Sequence, residues 1–254
     1  MAADGGNGGG GGDIGGGGGG GGMRAFLASL AGRVPDLGAD PLEHVLARLD
    51  ELGARRPGAV VECGVFSGRS VAKIAAAYAD RAVHGFDSFE GLPEAWERGD
   101  DRSFVKGRFD MGGRLPAVPA NVELVPGWFD RTLPPFAEAL AREGREVVFL
   151  HVDCDLYSST KCVLGALAPV LADGALVVFD ELFNYDGFER HEARALHELL
   201  DGGGWRAEWI GKNGPLVLQG ARDAGAGWDQ PAALRLWRVR RCHRHLRCAA
   251  DHAD

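Results

Sequence analysis

Short apolar runs alternate along this chain with stretches in which apolar residues recur every three or four positions. Pro41–Leu52 places Leu42, Val45, Leu46, Leu49 and Leu52 on one stripe, which predicts an amphipathic helix. Ala59–Cys63 reads as a short buried strand, and Ser70–Tyr78 as a helix packed by Val71, Ile74 and Ala75. Val83–Phe86 is the expected second strand. Val122–Val125 is the third, reached through a longer loop rich in glycine, proline and charge. A helix over Pro134–Arg142 and a fourth strand over Val147–Val152 follow. Thr160–Leu171 is then helical, capped by Ser159 or Thr160. Leu176–Phe179 is the fifth strand and Glu189–Leu200 the next helix. Finally, Trp205–Ile210 and Leu216–Gln219 flank KNGP, a turn signal joining two strands with no helix between them. Strands separated by helices imply a parallel sheet with right-handed crossovers, and a closing hairpin makes the last strand antiparallel. The expected fold is one α/β domain, its sheet mostly parallel.

Composition divides the chain into three. Residues 1–22 are almost all glycine and have nothing to bury, so a flexible coil is expected there. Residues 23–220 carry the alternating pattern and form the expected folded domain. Residues 221–254 begin with Gly, Ala and Asp and end in a basic run, Arg235–Arg247, which reads as a solvated, flexible tail. Cys242, His243, His245 and Cys248 in that run lack zinc-site spacing. A net charge of -8 argues against a nucleic-acid binder held by phosphate contacts. No apolar run approaches the ~20 residues that span a bilayer, and no basic-then-apolar leader is visible at the start. The five cysteines have no disulfide-framework spacing, which predicts reduced thiols and a cytoplasmic location.

The candidate chemistry begins at VVECGVFSGRS (Val60–Ser70), where an apolar strand ends in an acid and glycines open a helix. Gly64 and Gly68 lie where the chain must turn sharply and let a ligand approach the backbone. The pattern is not G-x-G-x-x-G. Glu62 holds the strand tip, which suits an amino-bearing or cationic ligand better than a pyrophosphate. Asp87 ends the second strand 19 residues after Gly68, the position from which an acid accepts ribose hydroxyls. An adenosine-bearing ligand is the expectation.

GAVVECGVFSGRS, FDSFEGLPEAW (Phe86–Trp96), GWFDRTLP (Gly127–Pro134), DCDLYSSTK (Asp153–Lys161) and FDE (Phe179–Glu181) occur in this order. Together they resemble the macrocin O-methyltransferase family, over roughly Ala59 to Gly220. The resemblance implies a Rossmann-like class I methyltransferase domain, with a seven-stranded sheet and S-adenosylmethionine as cofactor. Many members are metal-dependent sugar O-methyltransferases of antibiotic biosynthesis, and the family often forms dimers or larger homo-oligomers. It further implies that Glu62, Gly64, Gly68 and Ser70 line the methionine and ribose part of the cofactor. Asp87 would hold the ribose diol and Ser88 the adenine side, with Gly127, Trp128 and Phe129 beside the adenine ring. Asp153, Asp180 and Glu181 match the family's metal ligands. This chain departs from the family in having Asp180–Glu181 where members acting on sugars have two aspartates, and in a short segment before Ala59. His191 and Glu192 resemble a further family position facing the site.

The residues themselves point the same way. Asp153 follows the fourth strand and Asp180 the fifth, so both emerge at the edge where open parallel sheets hold their ligands. With Asp155 and Glu181 they would repel one another unless a cation or protons intervened. All-oxygen ligands favour a hard cation such as Mg²⁺. The alternative is that Asp153 and Asp155 cap the following helix. The expected reaction is methyl transfer to a hydroxyl of a small molecule, of sugar or natural-product type, with Asp153 or Asp155 as base. His84 and His151, in or beside strands, read as core or edge histidines. Two rivals remain: an oxidoreductase on a dinucleotide fold, disfavoured by the missing glycine pattern, and a non-catalytic scaffold, disfavoured by the retained acids.

Overall fold

The computed structural model describes residues 19–99, 103–217 and 230–239. In chain order the elements are α1 (Gly19–Leu30), α2 (Pro41–Leu46), β1 (Ala59–Cys63), α3 (Arg69–Ala77), β2 (Val83–Asp87) and β3 (Val122–Pro126). There follow α4 (Phe129–Arg142), β4 (Val147–Val152), α5 (Tyr157–Leu167), β5 (Leu171–Phe179), α6 (Glu192–Asp201), β6 (Trp205–Lys212) and β7 (Ala232–Arg238). The seven strands form one sheet in the order β3-β2-β1-β4-β5-β7-β6. β1 to β5 are parallel, and β7 runs antiparallel to both of its neighbours. A single α/β domain with a mostly parallel sheet and an antiparallel last strand is what the alternating pattern predicts.

Apolar content explains the centre of the sheet. Every residue of β1 and of β4 is buried, as strands covered on both faces by helices require. Val60, Val61, Phe149 and Leu150 have no exposed surface. At roughly 25 cal/mol per Å² such burial is the main favourable term for the fold. Because β1 has β2 on one side and β4 on the other, the strand order reverses there. A crevice beyond the strands' C-terminal ends follows from that reversal.

The last strand comes from an unexpected place. Leu216 and Val217 carry no sheet pairing, and Val217 N–H donates instead to Asn184 Oδ1 at 2.9 Å. β7 lies beyond residue 220, in the segment whose charge predicts a tail. Its Ala232, Ala233, Leu234 and Leu236 are fully buried. Arginines mask the pattern because they reach carbonyls at the sheet's borders: Arg235 donates to Leu52 O at 2.6 Å and Arg238 to Leu171 O at 2.7 Å. The rest of the basic run, with its Cys and His residues, lies outside the described residues.

Further boundaries differ from expectation: α4 begins five residues early at Phe129, and α5 ends at Leu167 so that β5 already begins at Leu171. α1 begins at Gly19, inside the glycine-rich stretch, because Leu27 and Leu30 are buried and Phe26 packs on His197 of α6 at 5.0 Å. Residues 1–18 lie outside the described residues. α2 ends at Leu46 and gives way to turns, although Leu49 is still buried. α5 starts at Tyr157 with Leu156 as N-cap and no side-chain cap bond. Ser159 and Thr160 therefore lie inside the helix, Thr160 Oγ1 donates back to Leu156 O at 2.8 Å, and neither Asp153 nor Asp155 caps it.

Candidate active site

Two sets of strand tips open into one cavity of about 400 Å³. On the first side, β1 is followed by Gly64, whose φ of 93° carries the chain sharply away from the sheet. A Cβ there would sit 1.6 Å from Asp153 O, so only glycine lets the turn after β1 pass the turn after β4. Gly68 follows in the left-handed conformation as the N-cap of α3. Asp87 locks this turn from β2. Its Oδ2 accepts from the Val65 and Phe66 N–H groups, both at 2.8 Å, and its Oδ1 accepts from Phe89 N–H at 2.7 Å. A carboxylate offers about four lone-pair positions, so one remains for a ligand hydroxyl. Gly127 N–H donates to Asp87 O at 2.9 Å, which ties the start of α4 to the same point and brings Trp128 and Phe129 to the cavity wall.

On the second side, β4 and β5 deliver acids. Oxygen atoms of Asp153, Asp155 and Glu181 lie within 4.8 Å of one another. Asp155 holds a left-handed φ of 61°, which returns the chain to α5 directly after the acid pair. Burial, then the negative charges of Asp180 and Asp155, push the Asp153 carboxyl well above its usual range. Burial and Asp180 likewise raise Asp155, to about 7, against the opposing pull of the Arg98 guanidinium. Glu181 is raised by burial and by the same aspartates, and its Oε2 is buried without a hydrogen-bond partner. Desolvated carboxylates that outnumber their counter-charge are costly, so this group calls for protons or a cation. Three convergent oxygen donors, one of them an orphaned buried atom, fit a hard divalent ion.

The expected cofactor residues divide between the cavity wall and positions off it. Gly64, Asp87, Ser88, Trp128 and Phe129 line the cavity. Glu62, Gly68, Ser70 and Gly127 are not among the residues that line it. Glu62 is fully buried and bonds His151 Nδ1 at 2.8 Å, while its Oε2 makes no hydrogen bond. Burial raises the Glu62 carboxyl, more than His151 and the nearby Ser70 lower it. Burial alone would lower His151, yet the Glu62 carboxylate wins and raises it. His151 is thus a core histidine, with Nε2 unbonded at 3.9 Å from Asp180 Oδ1.

Among the expected metal ligands, Asp153 and Glu181 come together. Asp180 is not part of the close group; its side chain is 38 % exposed and neighbours His151. Asp155, expected as a base, takes the third place in that group. Glu192 of α6 supports both acid-bearing turns. Fully buried, it accepts from Cys154 N–H at 3.3 Å through Oε1 and from Glu181 N–H at 3.2 Å through Oε2. His191 Nε2 lies 3.0 Å from Glu97 O.

The front wall comes from the long loop between β2 and β3. Residues 89–99 and 103–111 pair as two limbs of a ribbon, with bridges at Glu90–Asp110 and Trp96–Phe104, and with Leu92 N–H donating to Arg108 O at 2.9 Å. It brings Leu92, Trp96, Arg98, Phe104 and Phe109 to the cavity. Arg98 lies between the Trp96 and Tyr185 rings, 4.6 and 4.3 Å from their centroids. The FEGLPEAW motif marks the first limb, but the return limb at Phe104 and Phe109 has no signal of its own.

The seven-stranded sheet, with the cavity at its switch point and the glycine turn after β1, is a Rossmann-like α/β fold. Residues 61–182, from β1 to just beyond β5, match the protein family described as a methyltransferase domain. The fold is similar to that of CalS11, a calicheamicin methyltransferase, with 22% identity, 84% of this chain and 91% of that chain covered, and a TM-score of 0.51. The O-methyltransferase NovP is also similar, with 22% identity, 79% of each chain covered and a TM-score of 0.51. No curated protein matches the sequence. Among the described residues, no helix is long and apolar enough to cross a membrane.

Proposed function

We propose that this chain is an S-adenosylmethionine-dependent O-methyltransferase acting on a hydroxyl of a small molecule, with a divalent cation such as Mg²⁺ at the acid group. The observation that carries the reading is one cavity bounded by two unlike ends. Gly64, Asp87, Ser88, Trp128 and Phe129 form a nucleoside-type end, while Asp153, Asp155 and Glu181 converge at the other. The family match over residues 61–182 and the methyltransferase fold support it.

At the first end, the remaining acceptor capacity of Asp87 suits the ribose hydroxyls, and the Trp128 and Phe129 rings suit a flat base. S-adenosylmethionine supplies, when bound, a methyl group already activated on a sulfonium. At the second end, Asp153 and Glu181 are the candidate cation ligands, with Asp155 or Asp180 completing the set. A divalent ion there would supply positive charge that makes a hydroxyl easier to ionise. Asp155 is the candidate base, because its carboxylate lines the cavity beside Asp153 and Glu181, where an acceptor hydroxyl would lie. Closing the front with the aromatic ribbon keeps water from the reacting oxygen.

Calorimetry with S-adenosylhomocysteine and with NAD separates this reading from a dinucleotide oxidoreductase. Binding of the first and not the second is expected. Labelled-methyl transfer to a hydroxyl acceptor, lost with a chelator and restored by Mg²⁺, separates it from a non-catalytic scaffold. Binding of NAD alone would sink the proposal.

A further inference from the structure

The cavity's wall is unequal in polarity, and that inequality bears on the acceptor. This inference rests on the methyltransferase reading and narrows its substrate. Once the nucleoside-type end and the three acids are set aside, the remaining wall is dominated by Phe66, Leu92, Pro93, Trp96, Phe104 and Phe109. Four of these form an unbroken aromatic run. Trp96 stacks on Phe104 at 5.3 Å and 28°, Phe104 meets Phe109 at 5.7 Å, and Phe109 meets Phe66 edge-on at 5.3 Å. Other polar side chains on this part of the wall are those of Arg98, Ser159 and Gln230. Arg98 is already sandwiched between two rings, so its planar face is occupied.

We propose that the acceptor is a planar phenol with two neighbouring hydroxyls, of catechol type, rather than a sugar. Its ring lies along the Phe66–Phe109–Phe104–Trp96 wall and its paired oxygens face Asp153, Asp155 and Glu181. A sugar presents hydroxyls around its whole rim. Each one turned toward the Phe66, Phe109, Phe104 and Trp96 rings would lose its water without gaining a hydrogen-bond partner from them. A catechol concentrates its polarity on one edge, which matches a site with acids at one end and rings along the side. Flat faces also recover stacking energy that a puckered, hydroxyl-bearing ring obtains less fully. Phenols titrate near about 10, within closer reach of a carboxylate base than an alkyl alcohol. The transfer balances as follows. The phenolic O–H proton passes to Asp155, the oxygen lone pair forms the new O–CH₃ bond, and the S–CH₃ bond breaks with its pair returning to sulfur. The sulfonium thereby becomes a neutral thioether.

The full chain, loaded with S-adenosylhomocysteine and Mg²⁺, is titrated calorimetrically with pyrocatechol and with methyl α-rhamnoside. Pyrocatechol is expected to bind at least tenfold more tightly, and to accept labelled methyl from S-adenosylmethionine. Phe104→Leu should weaken pyrocatechol binding about 3- to 10-fold while leaving S-adenosylhomocysteine binding unchanged. Phe66→Leu, on a side chain 43 % exposed, is the second variant and carries little folding risk. Equal or tighter binding of the rhamnoside overturns the proposal. So does absence of pyrocatechol binding while S-adenosylhomocysteine still binds, or indifference of pyrocatechol to both wall variants. Loss of S-adenosylhomocysteine binding by the unaltered chain would instead overturn the methyltransferase reading, and it is read in a separate titration.

Discussion

The two halves of the sheet's C-terminal edge solve the same problem in opposite ways. At the tips of β1 and β2, Asp87 accepts from three backbone N–H groups of the turns around it. At the tips of β4 and β5, Asp153, Asp155 and Glu181 crowd together with raised carboxyls and an orphaned Glu181 Oε2. The first half has its carboxylate held by hydrogen bonds as folded, with capacity left for a ligand. The second half is electrostatically incomplete and so poised for positive charge. A methyl donor that is itself cationic, set between the halves, would find the negative potential of the second half favourable.

Variants can break this contrast. The largest effect is expected from Asp153→Asn, which removes a charge from the incomplete half. Methyl transfer should fall roughly 10²–10⁴-fold while calorimetric affinity for S-adenosylhomocysteine stays within about twofold. If turnover persisted in this variant with chelator present, a cation-assisted mechanism would be wrong.

Asp87→Ala attacks the first half. It orphans the Val65, Phe66 and Phe89 N–H groups, and bonds to a charged acceptor are each worth about 1.5–3 kcal/mol. Both thermal stability and S-adenosylhomocysteine affinity should drop, the affinity by about 10- to 100-fold. Lost affinity is the mark that distinguishes this half from the other.

Glu192→Ala tests the support beneath the acids. Without its two acceptor oxygens the Cys154 and Glu181 N–H groups lose their shared anchor. Transfer should fall about 10- to 100-fold through misplaced acids, with cofactor affinity unchanged. Glu192→Gln, which keeps one acceptor oxygen, should recover part of the loss. Equal damage from both variants would argue that the carboxylate acts by charge and not by holding the turns.

The smallest effect is a pH dependence of stability in the cation-free chain. Asp155 has a folded value of about 7 against an ordinary 3.8, and Asp153, Glu181 and Glu192 are raised too. Between about pH 4 and 7 the folded state therefore binds more protons than the unfolded state, and stability falls as pH rises. The raised His151 works in the same direction, its contribution being lost as pH climbs through its folded value. Melting should occur roughly 5 °C lower at pH 8 than at pH 5.5, and Mg²⁺ should narrow that gap. A cation-free chain that melted higher at pH 8 would contradict the uneven charge balance of the two halves.

Most of the sheet was legible from local signals. Ala59–Cys63 and Val147–Val152 are apolar throughout, and burial on both faces follows directly. The tail at Ala232–Arg238 was not legible, because Arg235 and Arg238 disguise a buried strand whose carbonyl partners Leu52 and Leu171 are remote in sequence. The pairing inside the front loop escaped for a similar reason. Phe104 and Phe109 stand in a polar loop, and only pairing with Trp96 and Leu92 turns that loop into a wall.

By itself the sequence determined the alternation of strands and helices, the sharp turn at Gly64 and the presence of acids after the second, fourth and fifth strands. These depend on side-chain period and on backbone freedom, which neighbouring residues encode. Only the tertiary structure decided which acids meet. Asp155 joins Asp153 and Glu181, while Asp180, adjacent to Glu181, stands beside His151. Successive residues leaving a strand diverge in direction, and the register of β1, β4 and β5 brings distant ones together. That convergence is a property of the sheet and of Glu192 beneath it, and no local spacing records it.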